Sequence, residues 1–234
     1  MISLIMPICN VNKELVELTE KALASLGGWD EFILIDNASD FLGKYDPDIW
    51  VINKKNLGYP ASINQAIKLA KGELLAIANN DIRVSGNWPQ IAREVLAEDP
   101  KIGSVHFRMV EYEDPFNLGN DTWITGKERW CTSSFFVMRK EAFIGYDENF
   151  GLGGYDDYDY WYRSRRVGWK TAYTNRAAYQ HKHSSTQLAL DQEARALRDK
   201  VNKEYYKSKH GEYPDIQFAN MYSEQMKERW LPCP

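Results

Sequence analysis

The chain has 234 residues, 44% hydrophobic and 26% charged, which is enough for one large domain or two small ones around a real core. Its net charge of −4 excludes the global basic field that draws a protein onto nucleic acid, so no general nucleic-acid affinity is expected. Three widely spaced cysteines (Cys9, Cys131, Cys233) read as reduced thiols in a cytoplasmic protein rather than as a disulfide framework.

The opening "MISLIMPICN" is too short an apolar run, without a basic leader, to be a signal peptide. No stretch approaches the roughly 18 apolar residues of a spanning helix. "ISLIMPI" (2–8) reads as a buried strand, and "KELVELTEKALASL" (13–26) follows with helical spacing and a Gly27-Gly28 stop. Strands are expected at 31–36 and 49–53, a helix at 60–72, and a fourth strand at 73–78. Strands alternating with helices through short connections imply a mostly parallel sheet covered on both faces.

Beyond residue 85 the pattern loosens. A helix is expected at 87–99, a strand at 102–110, an irregular loop at 111–130 and a strand at 133–139. A helix at 156–168, two short extended pieces, "WKTAYT" and "AAYQH", and a long amphipathic helix at 185–211 complete the pattern. With no repeat or low-complexity linker, the chain reads as one continuous domain with an appendage.

Five constellations can carry chemistry. Asp36 ends the second strand, where an acid can hold a ribose or base but can equally cap a turn. "NLGYPASINQA" (56–66) places Asn56 and Gly58 in a turn that lets a ligand approach the backbone, and Asn64 within a helix, although a structural explanation suffices. "NND" (79–81) ends the fourth strand, with Asp81 able to offer a hard oxygen to a metal held mainly by diphosphate and water. "GLGGYDDYDYWYRSRR" (151–166) leads a flexible glycine stretch into a helix whose first turn holds Asp156, Asp157 and Asp159. The dipole explains some of those acids and Asp159 can pair with Arg163, yet crowded acids raise a pKa toward a general base. In "YQHKHSST" (179–186), His181 and His183 fall on one face of a strand and can bind metal, contact phosphate or pack internally.

In order and spacing these blocks resemble glycosyltransferase family 2, the inverting enzymes of the GT-A fold. "LIMPICN" is similar to the family's opening strand and Pro-x-x-Asn turn, and "LIDNASD" to its strand-end Asp block. "NLGYPASINQAIKLAKGELLAIANND" resembles the long run into the metal motif, and residues 133–173 the acceptor-side strand and acidic helix. The resemblance covers roughly residues 2–185. It implies a Rossmann-like GT-A α/β domain over 1–185, with a nucleotide-sugar half (1–84) and an acceptor and catalytic half (85–185). Residues 186–234 are then a C-terminal helix and packing tail.

The same resemblance implies a donor site built from Pro7, Asn10, Asp36, Asn37, Asn56, Gly58, Asn64, Asn79 and Asn80. "NND" stands where the family has Asp-x-Asp, so Asp81 is the expected metal ligand, with His181 as a further one. Asn79 replaces the first acid, a variant similar to the rhamnosyltransferase-type branch. Asp157 stands where the family carries its catalytic base, with Asp156 the second candidate. Gly154, Tyr155 and His183 fall on the acceptor side. Trp130 and Trp161 can stack on a sugar or pack in the core.

The implied reaction moves a hexosyl or rhamnosyl group from a UDP- or dTDP-linked donor to a hydroxyl, with inversion and with Mn2+ or Mg2+ as cofactor. The acceptor hydroxyl belongs to a glycan, a lipid-linked glycan, a protein or another molecule. Lys203, Lys207 and Lys209 form a modest basic face, a solvated surface or a peripheral contact with an anionic membrane. One rival is a nucleotidyltransferase, whose Gly-rich basic loop after the first strand is missing here. The other is an inactive nucleotide- or carbohydrate-binding module, favoured by the Asn at 79 and opposed by the acids at 81 and 157.

Overall fold

The computed structural model describes residues 1–125, 133–182 and 192–214. β1 (Ile2–Ile8) is apolar at every position but Ser3 because neighbours cover both of its faces, and six of its seven residues are buried. α1 (Lys13–Leu26) starts where Asn12 accepts the Leu15 amide at 2.9 Å and ends at Gly27, whose φ is 51°. β2 (Glu31–Asp36) and β3 (Ile49–Ile52) extend the sheet to one side of β1, in parallel register. α2 (Tyr59–Leu69) returns the chain to β4 (Leu74–Ala78), parallel to β1 on its other side.

α2 stops three residues before the sequence pattern does, for a local reason. The buried Ser3 hydroxyl donates to Glu31 at 2.5 Å, and these two side chains accept the backbone amides of Gly72 and Lys71 at 2.8 and 2.9 Å. Those amides therefore satisfy the start of β4 rather than another helical turn.

β5 (Ile82–Ser85), α3 (Trp88–Glu98), β6 (Ile102–Glu111), β7 (Thr122–Thr125) and β8 (Phe135–Arg139) follow, then α4 (Asp156–Arg166), β9 (Lys170–His181) and α5 (Gln192–His210). The sheet order is β3-β2-β1-β4-β8-β6-β9-β5, with β7 pairing β9 off this path. The β3-β2-β1-β4 half is wholly parallel, whereas antiparallel β8, β5 and β7 enter the other half. α1 and α3 cover one face around Trp88, and α2 and α4 cover the other around Tyr160 and Trp161.

Three sequence expectations change. The loop expected at 111–130 contains β7, and a short unforeseen strand, β5, pairs with the end of β9. The two extended pieces are one strand, interrupted where its register against β6 slips between Phe107↔Thr174 and Arg108↔Ala178. The slip falls at Asn175, whose amide and carbonyl are drawn aside to Asp121.

Candidate active site

β1 lies between β2 and β4, so the order reverses at its carboxyl end, which opens the crevice where α/β sheets take ligands. Pro7 has no N–H to give, and it follows the last β1–β4 pair, Ile5↔Ile77, by two residues. Asp36 ends β2 at 1% exposure and accepts the Ser39 amide at 2.8 Å, across Ala38 with φ 59°. The Asn37 amide donates to Ser62 at 2.7 Å, and its carbonyl accepts from Asn53 at 3.1 Å. Asn56 accepts the Gly58 amide at 2.9 Å and offers its NH2 to the Cys9 sulfur at 3.5 Å. Burial, helped by the charges of Asp36 and Asp40, raises the pKa of that thiol.

The three residues of "NND" separate in space. Asn79 continues the sheet, its amide donating to the Ser134 carbonyl at 2.8 Å. Asn80 is buried and donates to Asn10 at 3.1 Å and Thr19 at 2.9 Å, tying the end of β4 to β1 and α1. Asp81 meets His181: its Oδ1 lies 3.0 Å from Nε2, with both side chains more than nine-tenths buried. β5 makes this meeting possible, because Ile82 pairs with His181 and the Lys182 amide donates to the Asp81 carbonyl at 2.9 Å. Ser134 holds the far side of the ring, with its hydroxyl 3.2 Å from Nδ1.

The glycine stretch and α4 form the opposite wall. Gly153, Gly154 and Tyr155 have φ values of 105°, 92° and 68°, three consecutive left-handed residues at the helix start. The Asp156 carboxylate accepts the Gly154 amide at 2.6 Å, and Asp157 accepts the Tyr158 amide at 2.8 Å. Burial pushes Asp157 up to about 7, and the neighbouring Asp156 adds to the rise. Burial likewise raises Asp156 to about 6, against the Gly154 amide and the charge of Arg198. Asp159 points elsewhere. It is fully buried, between Arg163 at 2.8 Å, Lys209 at 2.7 Å and His210 at 2.8 Å.

Two links bring the walls together. Gly58 packs so tightly on the glycine stretch that a Cβ there would lie 2.1 Å from the Gly151 carbonyl oxygen. The Trp161 indole donates to Ser133 at 3.3 Å, one residue from the serine that holds His181, and Tyr59 donates to the Ser133 carbonyl at 2.9 Å.

The family model for glycosyl transferase family 2 matches residues 3–167, well over half of the chain. The chain belongs to glycosyltransferase family 2. Solved structures with the same fold include Staphylococcus aureus TarS 1–349 (TM-score 0.63, 14% identity), where 98% of this chain covers 75% of the other. They also include GalNAc-T7 with UDP, GalNAc and Mn2+ (TM-score 0.60, 13% identity), matched over 77% of this chain. The chain spans 43% of that GalNAc-T7 structure. These likenesses establish the GT-A fold. A search of curated proteins finds no match.

Within this family 2 frame, several expected residues take structural positions. Trp161 is 2% exposed and packs against His106, Phe136 and Tyr160, which leaves no face for an acceptor. Asn64 accepts the Tyr146 amide at 2.8 Å and donates to its carbonyl at 2.9 Å and to Glu148, clamping the approach to α4. Asn10 and Asn80 are bonded to one another beneath the crevice. Lys209 is no free surface charge, since it also meets Asp147 at 2.5 Å, while Lys203 and Lys207 lie over the Tyr213 ring. Trp130 and His183 lie outside the described residues.

Four contributors escaped the sequence reading: Ser134, Tyr59, Arg198 and Asn202. Only Asn202 left a signal, as a polar residue four positions before Tyr206. These two are the buried residues of an otherwise exposed or half-buried helix. No helix among the described residues is long and apolar enough to cross a membrane.

Proposed function

We propose that this glycosyltransferase moves a sugar from a UDP- or dTDP-linked donor to an acceptor hydroxyl by one in-line displacement, inverting the anomeric carbon. The observation that carries this reading is the division of labour between two walls joined through Ser133 and Ser134. One wall offers Asp81 and His181, and the other offers a carboxylate near neutrality, Asp157.

Asp36 holds the donor's nucleoside at the end of β2, in a crevice whose shape Asn37 and Asn56 fix from below. Asp157 takes the acceptor proton as the new bond forms, a task suited to a carboxyl raised to about 7 and worth roughly 10²–10⁴-fold in rate. Asp156 keeps Asp157 basic through its own charge and braces the turn through the Gly154 amide. Residues 1–84 thus serve the donor, and the acceptor enters against the glycine stretch, with Gly154 and Tyr155 on its path.

Asp81 and His181 fit a divalent cation. Asp81 would give it a carboxylate oxygen and His181 an imidazole nitrogen, two buried side chains whose Oδ1 and Nε2 stand 3.0 Å apart. Among the described residues no cluster of three or more acidic, His or Cys side chains forms, so diphosphate and water would complete the shell. The imidazole nitrogen favours Mn2+ over Mg2+. Bound there, the ion supplies charge neutralisation for the departing diphosphate.

Donor binding and slow hydrolysis across a panel of nucleotide sugars, with and without Mn2+, test the proposal. One donor should bind in a metal-dependent way and release its sugar with inverted configuration. If no nucleotide sugar binds under any metal condition, the transferase reading is lost.

A further inference from the structure

α5 lies beyond the residues that the family model matches, yet it is bonded to the turn that launches the proposed base. The side-chain amide nitrogen of Asn202 stands 2.9 Å from the Phe150 carbonyl oxygen and 3.0 Å from those of both Gly153 and Gly154. Asn202 is 5% exposed, in the middle of a 19-residue helix whose interior ordinarily disfavours asparagine. Two of these carbonyls, those of Gly153 and Gly154, belong to the run of left-handed residues that ends at Tyr155, and the third, that of Phe150, closes the short turn just before it.

A left-handed tyrosine costs free energy and persists only where its surroundings over-determine the backbone. α5 supplies that constraint. The helix approaches so closely that a Cβ on Gly154 would lie 2.8 Å from the Asp199 carboxylate. Farther along, Lys209 and His210 grip Asp159, and Lys209 and Tyr205 grip Asp147, holding both sides of the glycine stretch. Those contacts fix the helix against α4 and the segment before it, and among the described residues Asn202 is the one whose side-chain amide is seen to reach the turn's carbonyls.

We infer that Asn202 is a positioning residue for the transfer reaction: it holds the Gly153–Tyr155 turn in its left-handed form and thereby aims the first turn of α4. The inference rests on the reading of Asp157 as base, but its first test needs no substrate. In Asn202→Ala, amides 153–158 should exchange with deuterium at least tenfold faster than in the wild type, while β1 and β4 exchange unchanged. With the donor identified by the panel, kcat for donor hydrolysis should fall about 10- to 100-fold with donor KM within twofold, as expected for a misaimed group. Tyr206→Leu loosens the same helix without touching the turn, and it should leave both readouts near wild type at temperatures where it is folded.

Unchanged exchange overturns the inference, as does faster exchange with unchanged kcat, or an equal loss in Tyr206→Leu. If Asn202→Ala melts below the assay temperature, Asn202→Gln replaces it, with the same exchange and kcat results required. If the wild type processes no donor, the reading of function falls, and the exchange result still judges whether Asn202 holds the turn.

Discussion

Two edges of one sheet are built in opposite ways. At the carboxyl ends of β1, β2 and β4, polar side chains satisfy one another: Asn10 with Asn80 and Tyr45, Asn37 with Ser62 and Asn53, Asp36 with the Ser39 amide. Across the crevice, the start of α4 collects unfavourable features, with three left-handed residues and two adjacent carboxyls whose pKa values are raised by burial. A satisfied polar network rigidifies a recognition surface, whereas stored strain and a poorly solvated charge mark where chemistry is done. The rigid edge suits a donor that must be held. The strained edge suits a proton that must be moved.

The contrast breaks most sharply at Asp157. Asp157→Asn keeps the shape and removes the proposed base, so kcat should fall roughly 10²–10⁴-fold while donor affinity by calorimetry stays within twofold. A variant that loses donor binding in proportion would move Asp157 to the donor side and end the division of labour. The complementary change is Asp81→Ala. Metal-dependent donor affinity should weaken about 10- to 100-fold, with the residual affinity no longer responding to Mn2+ or chelator. Retained Mn2+ dependence would separate the ion from the Asp81–His181 pair.

Much of the rigid edge was legible in the sequence because local rules produce it. Apolar runs, broken only by Ser3, gave β1, β2 and β4, and α1 spans the residues its periodicity and its Gly27 stop predict. Asp36 stands out because an apolar strand ends on it, and Asp81 because it closes the polar turn that follows another. The strained edge was legible only as a cluster of acids. Spacing does not say that Asp159 turns inward to Lys209 and His210 while Asp156 and Asp157 do not, because that choice depends on side chains some fifty residues away. β5 also left no clear pattern, being four residues long, although it sets Asp81 against His181. Trp161 shows the converse: an aromatic beside an acidic motif invites a binding role, and packing decides otherwise.

Gly58 sits where the two edges touch, and its replacement tests whether they must meet. Alanine there carries a left-handed φ of 85° and drives a Cβ into the Gly151 carbonyl. Gly58→Ala should cost roughly 1–3 kcal/mol in denaturant unfolding, and a variant as stable as the wild type would show that the walls meet loosely.

The smallest effect is a shift of stability with pH, and it separates strain from simple packing. A buried carboxyl whose folded pKa is about 7 binds its proton more tightly folded than unfolded, where the value is about 3.9. Its contribution to stability is therefore fully present below about pH 4 and is lost as pH rises through about 7. Asp157→Asn never acquires the charge, so it should melt about 2–4 °C above the wild type at pH 8, with the gap closing toward pH 5. If Asp157 is the base proposed above, the donor hydrolysis rate of the wild type should run the other way, falling as pH drops below about 7 and Asp157 takes up a proton. Asp147 provides the internal contrast. Burial alone would raise its carboxyl, but hydrogen bonds from Lys209, the Asn149 amide and Tyr205 hold it near 2, so its stabilisation persists from pH 8 to pH 5. A melting gap between Asp157→Asn and wild type that stays constant over that range would mean that Asp157 is not held charged against its surroundings. The acid limb of the rate would then belong to another group.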